Sequence, residues 1–185
     1  MVPMRIRILA ALLLMTIPAA RAEASEFGNI FGSPAAELQS SRASARALEG
    51  LESILAALRA RELREPGAGR ERLSAASTAL RQASAAMREV VIPEQQNRPV
   101  ATLNLRQAES QSLAFAAQRL RRPPIANLRE LYQVFAETAA QLADLAERQM
   151  GATDDDTILF QLGPELTFFI RLGEVVTRVS RAANR

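Results

Sequence analysis

Cysteine, histidine, lysine and tryptophan are all absent from this chain of 185 residues. Their absence removes the commonest general base, the thiolate nucleophile, Schiff-base chemistry and the usual ligands for zinc, copper and haem iron. Cysteine-ligated iron–sulfur clusters are excluded as well. Serines are numerous, but no histidine or lysine stands by to activate one. Gly67-Ala68-Gly69 lacks the lysine and the preceding strand of a phosphate loop. The expectation is a protein without catalytic residues, bound cofactor or resident metal.

Carboxylates are the one catalytic resource left, since glycoside hydrolysis needs only two acids at a set distance. The densest cluster is Asp154-Asp155-Asp156. Neighbours on a helix fan out by about 100° each, so three in a row do not converge on one ion. A calcium loop also needs a turn glycine and a closing glutamate, and neither follows Asp154 at the required spacing. Carboxylates in a first helical turn are favoured by the helix dipole, which accounts for the run without a ligand. A carboxylate-based metal-binding or enzymatic bundle is the alternative reading. Known di-metal bundles add Glu-x-x-His pairs that this chain lacks.

The first two dozen residues carry the clearest positive signal. Arg5 and Arg7 precede an uncharged apolar run from Ile8 to Ile17, and Pro18 leads into Ala20-Arg21-Ala22 and Ala22-Glu23-Ala24. A basic start, a short apolar stretch and small-x-small sites form the pattern of a secretory signal peptide. The run is about half the ~20 residues of a spanning helix. Cleavage after Ala22 or Ala24 is expected, giving a soluble periplasmic or extracellular protein. With no cysteine a lipidated N-terminal Cys is excluded, and Arg5-Ile6-Arg7 is not a twin-arginine signal.

Removal of residues 1–22 leaves 163 residues, enough for one domain with a real core. It also takes away three arginines and no acid, so the net charge of +3 falls to 20 basic against 20 acidic side chains. Nucleic-acid binding needs a surplus of cations or a stacking platform. Neither is present in a near-neutral chain with seven Phe and one Tyr.

Apolar periodicity after the leader is helical throughout. Residues 23–32 are expected to be a flexible lead, and 33–185 the bundle domain. Leu48, Leu51, Leu55 and Leu58 form one stripe, after Ser33 as cap and Pro34 at the first helical position. A second helix carries Leu73, Ala76, Leu80, Ala83, Met87 and Val90, small enough for a close neighbour. A third is expected from Thr102 or Asn104, with Asn104 and Gln107 as capping box and Leu105, Leu113, Phe115, Ala116 and Leu120 inward. The fourth, capped by Asn127 with Glu130, repeats Leu128, Leu131, Phe135, Thr138, Leu142 and Leu145. The fifth starts near Thr153 and meets Gly163-Pro164, where a kink or a fresh start is expected. The predicted fold is all-α: an antiparallel bundle of four long helices plus a shorter or kinked fifth element.

Two surfaces stand out. The last helix has Leu166, Phe169, Gly173 and Val176 as its core face, yet Phe168, Leu172, Val175 and Val179 make a further apolar ridge. That ridge is a candidate partner-binding or homodimer surface unless the bundle itself covers it. Strict up-down alternation would also bring the first and third connections and the C-terminus together. Arg119, Arg121, Arg122, Arg178, Arg181 and Arg185 would then form a basic docking end, joined by Arg59, Arg61, Arg64, Arg70 and Arg72. Such an end suits anionic lipid headgroups or an acidic protein. The expected role is protein–protein binding in the cell envelope, as accessory subunit, adaptor or chaperone-like factor.

Overall fold

The computed structural model describes residues 34–62, 66–151 and 155–183, with side chains at 42–60, 67–95, 97–151, 161–176 and 178. The leader, the lead, Ser33, Arg64, Thr153 and Asp154 lie outside the described residues, as do the side chains of Arg61, Val179, Arg181 and Arg185. Five helices follow in order: α1 Pro34–Glu62, α2 Pro66–Arg88, α3 Gln107–Arg119, α4 Leu128–Gln149 and α5 Asp155–Ala183. Two 3₁₀ turns, Glu94–Gln96 and Val100–Thr102, punctuate the connection before α3. No strand occurs among the described residues, only an isolated bridge between Pro99 and Asn127.

The most extensive packing is between α1 and α2, followed by α2 with α4 and then α4 with α5. The core face of α1 is not its leucine stripe. Ala43, Ala47, Leu51, Ile54 and Ala57 are buried, whereas Leu48, Leu55 and Leu58 are half-buried beside them. The reason is proximity. A Cβ built on Gly50 would meet Leu80 Cγ at 2.6 Å and the Ala76 carbonyl at 3.4 Å. Small side chains let the two backbones approach closely, and the bulkier leucines are turned to the flank. On α2 the expected stripe is the core face, with Leu73, Ala76, Leu80, Ala83 and Met87 buried.

Helix α4 is the most completely used. Leu128, Leu131, Phe135, Thr138 and Leu142 are buried, and Thr138 satisfies its hydroxyl on the Val134 carbonyl at 2.8 Å. Asn127 caps it by accepting from the Glu130 amide at 3.0 Å, while the Glu130 carboxylate accepts from the Ala126 amide at 2.7 Å. Arg129 then holds the long connection in place, donating to the Ile92 carbonyl at 3.1 Å and pairing with Glu94 at 2.7 Å. Further along, Arg81 of α2 pairs with Asp144 at 2.8 Å and Glu147 at 2.5 Å.

Helix α3 begins later than Asn104. Leu103 is buried, the Leu105 amide turns back onto the Leu103 carbonyl at 2.8 Å, and Arg106 is extended, its amide bonded by Glu109 at 2.6 Å. With 13 residues, α3 is the short element. It ends in a left-handed residue, Arg121 at φ 52°, and the Arg122 amide closes onto the Ala117 carbonyl at 2.9 Å. Glycine is the usual occupant of that position because a Cβ costs ~1 kcal/mol or more there. Arg121→Gly is therefore expected to raise unfolding stability by about 1 kcal/mol, read as a higher denaturant midpoint with unchanged slope.

Helix α5 runs through Gly163-Pro164 as one element, with no fresh start. Pro164 is exposed, and Thr167 donates its hydroxyl to the Gly163 carbonyl at 3.0 Å, an acceptor close to the interruption. Leu162, Leu166, Phe169, Leu172 and Val176 are buried. Phe169 stacks on Phe135 of α4 with centroids 4.9 Å apart and planes at 29°. No helix among the described residues is long and apolar enough to cross a membrane.

Candidate functional site

The apolar ridge of α5 is largely spent inside the molecule. Leu172 and Val175 are buried, at 0% and 6% exposure, by the packing of α5 against its neighbours. Phe168 alone of the described ridge residues keeps part of its surface. It meets an aromatic that sequence periodicity places in the core. Phe115 of α3 is 50% exposed, because Leu113, Ala116 and Ala117 take the inward face of that short helix. The clue was in the spacing, since Phe115 falls outside the arc shared by those three.

The two rings sit edge to face, centroids 5.3 Å apart and planes at 77°. The Arg119 guanidinium lies 5.4 Å from the Phe168 centroid and pairs with Glu165. An edge-to-face pair contributes about 0.5–1.5 kcal/mol, and an exposed cation–π contact about 0.5–1. The aromatic pair is therefore a fixed feature of the α3–α5 seam. Val91 is the other large hydrophobic side chain exposed among the described residues, and it stands on the connection after α2.

The remaining outward positions of α3 are unusually uncharged. Gln107, Ala108, Ser110, Gln111, Ala114 and Gln118 are all exposed, and Glu109 is the only acid of the helix. Glu109 pairs with Arg178 of α5. Burial, then the like charge of Arg106, pull the Arg178 guanidinium below its ordinary value, and its Nε finds no acceptor among the described residues. It remains a cation at neutral pH.

Among the described residues, the arginines expected at one basic end are not brought together. Arg119 pairs with Glu165 and Arg178 with Glu109, positions 13 residues apart on α5, or about 20 Å at 1.5 Å per residue. Arg122 is held by Glu137 at 2.9 Å and Gln133 at 3.2 Å. Arg121 is exposed, and the side chains of Arg181 and Arg185 lie outside the described residues. The cause is topological. It is α4, not α3, that packs on α2, with Arg129 near the end of α2 and Arg81 near the end of α4. The last turn of α1, with Arg59, and the first turns of α2, with Arg70 and Arg72, thus lie toward the far end of α4 from the third connection.

Beside that third connection, a groove of about 350 Å³ is lined by Pro123, Pro124, Ile125 and Val134 together with Arg122 and Gln133. Its two charged side chains are already committed, Arg122 to Glu137 and Glu130, also in the lining, to the Ala126 amide. Among the described residues, no group of three or more His, Cys, Asp or Glu is placed to hold a metal ion. Compared with known protein families, curated proteins and solved structures, the chain matches none.

Proposed function

We propose that this is an exported, non-catalytic protein that works in the cell envelope by binding another protein, as accessory subunit, adaptor or chaperone-like factor. In this reading the four long helices form an antiparallel bundle and α3 is laid on its outside as the contact element. The observation that carries it is the half-exposed Phe115, braced by Phe168 and Arg119 on an otherwise weakly charged helix face. Interface centres are enriched in aromatic residues and arginine and depleted in other charged residues, and rigid aromatic anchors lose little conformational freedom on binding. The export signal supports the location.

The test combines fractionation with cross-linking in the native host, comparing the wild type with Phe115→Ser. The expected result is a periplasmic chain starting at Glu23 or Ser25 and a cross-linked species with a second protein. That species should fall at least tenfold in Phe115→Ser, whose thermal midpoint should stay near the wild-type value because Phe115 is only half covered. An unprocessed cytosolic chain, or a cross-linked species indifferent to Phe115, would overturn the reading.

A further inference from the structure

The charges around the aromatic pair point to the chemistry of what it meets. Three arginines of the region are matched within the chain: Arg119 by Glu165, Arg178 by Glu109, Arg122 by Glu137. Three others are exposed. Arg171 lies one turn along α5 from Phe168, Arg121 follows the end of α3, and Arg106 precedes its start. Glu174 is the one exposed acid on the adjoining part of α5. Along α3, its two flanks and the adjoining part of α5, exposed arginines thus outnumber exposed acids.

We infer that the α3–α5 seam receives an acidic amphipathic helix of a partner protein. One apolar side chain of that helix would seat against Phe115 and Phe168, with carboxylates facing Arg171 and Arg121. This rests on the reading of the seam as a protein contact and adds the sign of the partner's charge. Helix-in-groove recognition supplies the apolar anchor. Rim charges of opposite sign speed encounter and reject the wrong partner, with an effect that salt weakens. Arginine is suited to the task because its planar fork takes a carboxylate through two parallel hydrogen bonds.

The test uses two synthetic 15-residue amphipathic helices that share one Leu/Phe stripe, one with Glu and the other with Lys on the polar positions. Binding to the intact mature protein is read by fluorescence anisotropy at low and at high salt. The Glu peptide is expected to bind at least tenfold tighter than the Lys peptide at low salt, with the gap closing at high salt. Arg171→Glu should shrink the preference at least threefold, and Phe115→Ala should weaken the Glu peptide at least fivefold. Equal binding of the two peptides, no binding of the Glu peptide, or binding unaffected by Phe115→Ala would overturn the inference. So would light scattering that shows the seam occupied by a second copy of the chain. If the cellular cross-link depends on Phe115 while the peptides show no charge preference, the protein-contact reading survives and the acidic partner does not.

Discussion

Phe169→Ala is expected to lower the unfolding free energy by about 3–5 kcal/mol, the range for truncating a large buried aromatic. Phe169 is 2% exposed and stacked on Phe135, so its removal deletes a ring's worth of burial and leaves Phe135 facing a void. Total stabilities of single domains are about 5–15 kcal/mol, so the loss takes about a fifth or more of what is available. For a domain of this size each kcal/mol moves the midpoint by about 2–4 °C. A drop of about 6–20 °C in a thermal melt is expected. Phe168→Ala, one position along on the half-covered side of α5, should cost markedly less. Equal losses at the two positions would mean that α5 does not face the core as described.

Gly50→Leu should be comparably damaging through the opposite defect, too much volume. The Cβ alone would lie 2.6 Å from Leu80 Cγ, and Leu80 is itself fully buried. Overpacking a filled core costs about 1–3 kcal/mol and sometimes more. A leucine also carries three heavy atoms beyond its Cβ that have no space to enter. Gly50→Ala is the informative companion. It gains about 1 kcal/mol in helix propensity while incurring part of the same clash. The expected order of denaturant midpoints is wild type, then Gly50→Ala, then Gly50→Leu. A Gly50→Leu protein as stable as wild type would show that α1 and α2 do not approach as closely as described.

How much of this was legible in the sequence depended on side-chain size. In α4 large residues recur at helical spacing and the inward face carries the bulk, so Leu128, Leu131, Phe135 and Leu142 announced the core correctly. In α1 the same rule misled. Alanine and glycine carry almost no hydropathy contrast, yet they line the contact with α2, and of the four conspicuous leucines only Leu51 is buried while Leu48, Leu55 and Leu58 sit at its edge. The capping residue of α4 was readable because Asn127 and Glu130 act within one turn. The start of α3 was not, because the chain turns at Asn104 before the helix and Glu109, not Gln107, bonds back to the residue that precedes it.

The surface readings failed or succeeded on topology. Nothing local shows that α3 would be laid against α5 and leave the contact with α2 to α4. That one step in helix order separates arginines which strict alternation would gather. Phe115 is exposed for a local reason, its place outside the arc shared by Leu113, Ala116 and Ala117. The α5 ridge was recognisable as apolar, but only the packing of whole helices decides that Leu172 and Val175 are covered while Phe168 keeps an outward edge.

The unequal sharing of contacts has a mechanical consequence. Helix α3 leans mainly on α5, while the other four helices are chained together by broader seams. Regions with few buried contacts open at lower free energy than the body they rest on. A molecule that clasps Phe115 therefore pulls on the most easily lifted part of the fold. By linkage, whatever steadies or peels back that single short rod must tune the grip in equal measure.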